Sequence, residues 1–132
     1  MTHRELLNTA LIAREGAYAP YSGFSVGAAL LAAGGNVYTG CNVENASYPA
    51  TLCAERAAFA AAIGAGERKF VAIAVAGGKG RKADRETPPC GICRQVMAEF
   101  CKKDFEIIWG NEQDLSCHTL EELLPLSFAL ED

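Results

Sequence analysis

The sequence predicts a three-layer α/β fold: a mixed five-stranded sheet flanked by helices, built by a single domain over residues 1–132. Three observations carry this. Stretches with helical apolar spacing alternate with short apolar or β-branched runs, the order that puts helices on the faces of a sheet. Gly34-Gly35 stands between two strand-length runs and marks a hairpin, so the sheet is mixed rather than all parallel. At 132 residues the chain has the length of one domain, which buries roughly two-thirds of its unfolded surface.

The elements follow in order. Residues 2–17 read as a helix: Thr2 and Glu5 have capping-box spacing, Leu6, Leu7, Ala10, Leu11 and Ala17 line one face, and Gly16 and Pro20 end it. Strands are expected at 25–32 and 36–43 around the hairpin, and a loop at 44–49. Residues 51–63 are alanine-rich and helical, ending near Gly64. Val71, Ile73 and Val75 make 70–76 a buried strand, and 77–89 reads as a loop whose charged part, 77–87, is expected to be solvated, with a lid or a subunit contact as the alternatives. A helix at 91–102 presents Val96, Met97, Phe100 and Cys101. Strands at 105–109 and 115–118 follow, and Thr119 and Glu122 cap a short last helix that Pro125 stops.

Composition narrows the function. The net charge is −4 and the pI about 5.2, which disfavours nucleic-acid binding, since that needs a basic face. No apolar stretch has membrane-spanning length, and the first residues lack a signal-peptide apolar region. Six cysteines in such a chain favour a reducing compartment, so a cytoplasmic location is expected. Cys41 and Cys101 are expected as buried thiols, Cys117 and His118 as structural residues, and His3 as exposed.

Two motifs carry chemistry: Cys53-Ala54-Glu55-Arg56 and Pro89-Cys90-Gly91-Ile92-Cys93-Arg94-Gln95. A Cys-x-x-Cys pair alone fits either a redox centre or a metal site. With Cys53 it offers three thiolates, where a structural zinc asks for four ligands and a catalytic zinc keeps a position for water. Glu55, two residues past Cys53, is placed to move that water's protons. Three thiolates around Zn²⁺ leave a net negative centre. Arg56 and Arg94 each flank a motif residue and are expected to donate to the sulfurs and withdraw charge.

The pattern Cys-x-Glu followed by Pro-Cys-x-x-Cys resembles that of zinc-dependent deaminases. Over nearly its whole length the chain resembles the small, homotetrameric cytidine deaminases. The likeness includes Tyr18-Ala19-Pro20-Tyr21-Ser22 with Phe24, Val26 and Gly27, the run from Gly40 through Asn42, Glu44, Ala46 and Ser47 to Tyr48, and Leu123-Leu124-Pro125 with Phe128. It implies hydrolytic deamination of cytidine and 2′-deoxycytidine in pyrimidine salvage, with one Zn²⁺ per subunit on Cys53, Cys90 and Cys93. It implies attack at C4 by zinc-bound water with Glu55 as proton shuttle. Asn42 and Glu44 would hold the ribose, Phe24 the pyrimidine, and Ala54 a further substrate contact. Ala46, Tyr48 and Phe128 would complete sites shared between subunits, and Gln95 would brace the site. A nucleoside substrate, self-association as a tetramer, and neither nucleic acid nor membrane are the expected partners.

Pro49 and Pro88-Pro89 depart from the family's usual residues, as does the length of the 77–87 loop. Three other readings compete: a deaminase of a modified cytosine nucleoside such as blasticidin S, against which the Asn42-Val43-Glu44 run speaks; a nucleic-acid-editing deaminase, disfavoured by acidity and by the lack of a basic, aromatic channel; and a non-catalytic zinc domain, for which Glu55 would be dispensable.

Overall fold

Thr2 starts the first helix as its spacing predicts. Its hydroxyl accepts the Glu5 N–H at 3.1 Å while the Glu5 carboxylate accepts the Thr2 N–H at 2.8 Å. In the computed structural model, which describes residues 1–130, that helix is α1 (His3–Ala13), continued by a 3₁₀ turn over Arg14–Gly16. Then come β1 (Phe24–Ala32), β2 (Val37–Cys41), a 3₁₀ turn (Tyr48–Ala50), α2 (Ala54–Gly64), β3 (Phe70–Lys79), α3 (Gly91–Phe100), β4 (Glu106–Gly110), β5 (Leu115–Thr119) and α4 (Leu120–Leu123). The second capping box, Thr119 with Glu122, opens α4.

The sheet order is β2-β1-β3-β4-β5. β1 runs antiparallel to both β2 and β3, β3 is parallel to β4, and β5 is antiparallel to β4. This is the mixed five-stranded sheet expected from the hairpin and the crossovers. Successive residues of each central strand are buried on opposite faces. Leu6, Leu7 and Ala10 of α1 pack on Ala29, Ala72, Ala74, Ala76 and Ile108. Ala58, Phe59 and Ala62 of α2, with Cys93 and Met97 of α3, pack on Ala28, Leu30, Ile73, Ile107 and Trp109 on the other face. Three layers result.

Two glycines set how closely the helices sit. A Cβ at Gly27 would stand 2.2 Å from the Ala10 carbonyl of α1, and one at Gly40 would stand 2.4 Å from the Ala54 carbonyl at the start of α2. No side chain fits either place, so both helices press onto bare backbone.

The topology also fixes where a site falls. β2 and β3 both run antiparallel to β1, so they point the same way and end at the same edge. α2 follows β2 and α3 follows the loop after β3, which brings both helix N-termini to that edge. Ligand sites lie there in open α/β sheets.

Four expectations need correction. The helix ends its α turns at Ala13, and Arg14, placed on no apolar face by the spacing, is 7% exposed. β3 does not stop at residue 76. It continues through Gly77-Gly78 to Lys79, paired with Phe24, Ser25 and Val26, because the two glycines let Thr87 and Lys82 fold against the strand. The loop beyond is therefore not simply solvated. Arg14 Nε donates to the Ser25 carbonyl at 2.8 Å, and Nη2 donates to the carbonyls of Gly78 at 2.7 Å, Gly80 at 2.7 Å and Lys82 at 3.0 Å. Finally, Cys41 and Cys101 are half-buried and Cys117 is exposed, while His3 is half-buried. His118 has a structural contact: its ring stacks on Trp109 at 4.6 Å.

Candidate active site

The three motif cysteines converge at the ends of α2 and α3. Cys53 is the N-cap of α2 rather than a residue of its first turn, Cys90 is the N-cap of α3, and Cys93 is in the first turn of α3. Their sulfurs lie 4.0 Å apart for Cys53 and Cys90 and 3.6 Å for Cys90 and Cys93. Tetrahedral zinc with Zn–S bonds near 2.3 Å needs sulfurs about 3.8 Å apart. The thiols therefore stand at zinc-binding separation. Among the described residues, no fourth His, Cys, Asp or Glu joins this cluster. Three protein ligands with an open position fit a catalytic ion rather than a structural one.

The electrostatics agree. A hydrogen bond from Cys93 pushes the Cys53 thiol down to about 5, against its burial, and the Arg56 guanidinium adds to the shift. Cys93 is held protonated by donating to Cys53, by burial, and by the negative charge of Glu55. Arg56 Nη2 donates to the Cys53 sulfur at 3.4 Å and to the Thr51 carbonyl at 3.3 Å.

Arg94 does not do the same. Its Nε donates to the Pro89 carbonyl and its Nη1 to the Leu123 carbonyl, each at 2.8 Å. It fastens the residue before Cys90 to the end of α4 and touches no sulfur. The cause is its place after Cys93, on the side of α3 turned to the C-terminal segment. The two arginines therefore differ in effect. Arg56→Ala is expected to weaken zinc retention about 10–100-fold in a chelator competition, as loss of a ligand's hydrogen-bond donor does elsewhere. Arg94→Ala should leave zinc retention near wild type, and equal losses in both would contradict this division.

Glu55, the second residue of α2, is 5% exposed. Burial pushes its carboxyl up to about 7, with the Cys53 charge acting in the same direction. A group poised near neutrality takes and returns a proton with little bias. Ala54 beside it is fully buried, and as the first residue of α2 its N–H has no helical acceptor.

Beyond β2 the chain is held rigidly. The Asn42 Oδ1 accepts the Val26 N–H at 2.8 Å, and its Nδ2 donates to the Phe24 carbonyl at 2.9 Å. Glu44 Oε1 accepts the N–H groups of Tyr21 at 2.9 Å and Ser22 at 3.1 Å, and its Oε2 accepts the Ser22 hydroxyl. These bonds, the Ser22 hydroxyl first, hold Glu44 below the usual carboxylate range, so it is an anion at neutral pH. Ser22, whose hydroxyl also accepts the Phe24 N–H at 2.9 Å, was not singled out from sequence. A serine two residues before an aromatic in a loop was the available signal. Phe24 is half-buried and lies along the edge of Gly77.

Ala46, Tyr48 and Phe128 are exposed, Tyr48 at 83% and Phe128 at 67%. Gln95 Nε2 donates to the Phe128 carbonyl at 3.0 Å, which ties the C-terminal segment to α3 beside Arg94. A groove of about 980 Å³ lies elsewhere, between α1, the 80–84 loop and residues 111–113. It is lined by charges of both signs and by no thiol.

Comparisons with known proteins agree with the geometry. Residues 1–108 match the family model described as the cytidine and deoxycytidylate deaminase zinc-binding region. The chain is 51% identical over 133 residues to a cytidine deaminase of Halalkalibacterium halodurans, covering 100% of this chain and 98% of that protein. It is 50% identical over 123 residues to one from Sporosarcina psychrophila, covering 91% and 86%. The crystal structure of a cytidine deaminase from Burkholderia pseudomallei superposes with a TM-score of 0.88 at 49% identity, covering 97% of this chain and 100% of that one.

Proposed function

The chain belongs to the cytidine and deoxycytidylate deaminase zinc-binding family and catalyses zinc-dependent hydrolytic deamination of cytidine, and we propose that Cys53, Cys90 and Cys93 hold the ion and Glu55 moves the protons. The single observation that carries the assignment is the three-sulfur cluster with a buried carboxylate beside it and no fourth ligand among the described residues.

Zinc supplies a Lewis acid that makes water a nucleophile near neutral pH. The chain's residues do the rest. The Glu55 carboxylate takes a proton from the water that attacks C4 and passes it to the ring nitrogen, then takes the second proton from the hydroxyl now on C4 and gives it to the departing amine, which leaves as ammonia. Cytidine and water give uridine and ammonia. Arg56 takes charge from the Cys53 sulfur. The Ala54 N–H, free of a helical acceptor, is available to the pyrimidine.

Asn42 and Glu44 hold the sugar. Each is fixed by bonds to neighbouring residues yet has capacity left, a second lone pair and a second N–H on the amide and a further lone pair on the carboxylate. Phe24 packs on the base. The Glu44 charge repels a phosphate, so the substrates are the nucleosides cytidine and 2′-deoxycytidine, in pyrimidine salvage. The exposed Ala46, Tyr48 and Phe128 reach the sites of neighbouring subunits in a homotetramer, with Gln95 holding the Phe128 backbone in place. No helix of the described residues is long and apolar enough to cross a membrane, and we place the single-domain protein in the cytoplasm.

Ammonia release tests this reading. Both nucleosides should be deaminated, and cytidine 5′-monophosphate far more slowly. Equal rates on the monophosphate would remove the role of Glu44, and a falling specific activity on dilution should accompany dissociation of the tetramer.

A further inference from the structure

Mechanism leaves one cluster of ligating side chains unused, on the other face and at the other end of the sheet. His3 is in the first turn of α1, Glu106 is the first residue of β4, and Cys117 is in the middle of β5. Cys117 pairs with Ile108, whose side chain faces α1, and Glu106 pairs with Ala72 near the start of β3. The catalytic thiols lie past the end of β3, against α2 and α3. The two clusters therefore share no residue and no element face.

We propose that His3, Glu106 and Cys117 form a second metal site that takes a borderline divalent cation, Zn²⁺ foremost. His3 Nε2 lies 3.2 Å from Glu106 Oε1, Cys117 Sγ lies 3.7 Å from Glu106 Oε2, and the three donor atoms fall within 4.8 Å of one another. Tetrahedral zinc with bonds of about 2.0–2.3 Å separates its N, O and S ligands by about 3.3–3.6 Å. The two short separations, one to each oxygen of the Glu106 carboxylate, lie within about 0.1 Å of that range. Imidazole with thiolate selects zinc over magnesium or calcium, which prefer all-oxygen sets.

A surface ion pair between His3 and Glu106 is the plainer reading, and exposed pairs contribute little. It gives no reason for a thiol set against the second oxygen of the same carboxylate. Among the described residues, no Lys or Arg pairs with Glu106. Nearby, Lys103 pairs with Glu121, and Arg4 is engaged with the Asn111 carbonyl. Packing fixes the donors' spacing, because Leu6 and Leu7 seat α1 in the same cluster as Ile108. His3 and Glu106 are about two-fifths exposed, which leaves room for water to complete the coordination. An ion there would pin the start of α1 to the β4–β5 edge and stabilise the fold by mass action.

The test uses the holoprotein carrying its catalytic zinc. After equilibrium dialysis at micromolar zinc, wild type should carry two zinc ions per chain. Cys117→Ser and His3→Gln should each carry one, with cytidine turnover kept and the rise in Tm on adding zinc lost. One ion per chain in wild type, or two persisting in both variants, would overturn the proposal.

Discussion

Glu55→Gln is expected to lower kcat by about 10²–10⁴-fold, the usual contribution of a positioned acid-base group, while zinc content and Tm stay near wild type. Glutamine fills the same volume in a site 5% exposed, so α2 and its contacts have no reason to move. It keeps a carbonyl that accepts a hydrogen bond from water, but it cannot take a proton and give it back. A carboxyl held near 7, as in the wild type, can do both. Steady-state kinetics with zinc analysis on the same sample separate the cases. Retained activity in a zinc-replete Glu55→Gln variant would remove Glu55 as the proton shuttle.

Arg14→Met should lower stability by about 3 kcal/mol and loosen the 77–87 segment, because hydrogen bonds to charged groups contribute about 1.5–3 kcal/mol and orphaned buried carbonyls cost about 1–3 kcal/mol each. Methionine keeps the stem but leaves the carbonyls of Ser25, Gly78, Gly80 and Lys82 without their donor. Chemical denaturation measures the loss, and amide exchange at residues 78–85 locates it. A denaturation midpoint equal to wild type would mean that water replaces the guanidinium freely, at odds with a residue 7% exposed. The motif cysteines lie outside this segment, so turnover per folded molecule should stay near wild type.

The contrast between Glu55 and Arg14 shows where sequence is legible. Cysteine spacing, capping boxes and the Gly34-Gly35 pair act over a few residues, and each appears in the structure where the spacing puts it. Arg14 acts across 64 residues to Gly78, and no local pattern records such a pairing. The same holds for the continuation of β3 through Gly77-Gly78. Two glycines read as a break by propensity, yet the segment 82–87 folds onto the space they leave. Arg94 misled for a related reason. Adjacency to Cys93 in sequence put it near the metal, but α3 turns successive residues about 100° apart, and its guanidinium went to Pro89 and Leu123 instead. Arg56 sits in the first turn directly after Cys53 and reaches back to that sulfur. The Ser22–Glu44 bond joins two loops 22 residues apart, although both residues stood inside the stretches that carried the family resemblance. The His3, Glu106 and Cys117 cluster was invisible from sequence because its members come from the two ends of the chain.

Zinc-dependent deamination at Cys53, Cys90, Cys93 and Glu55 is tested most directly by the ultraviolet absorbance of cytidine mixed with the purified protein, before and after treatment with a strong zinc chelator. The cytosine band should be lost with the protein as isolated, persist after zinc removal, and be lost again once zinc is restored. A band lost at the same rate after verified zinc removal, or one that persists with zinc verified in the protein, would contradict it.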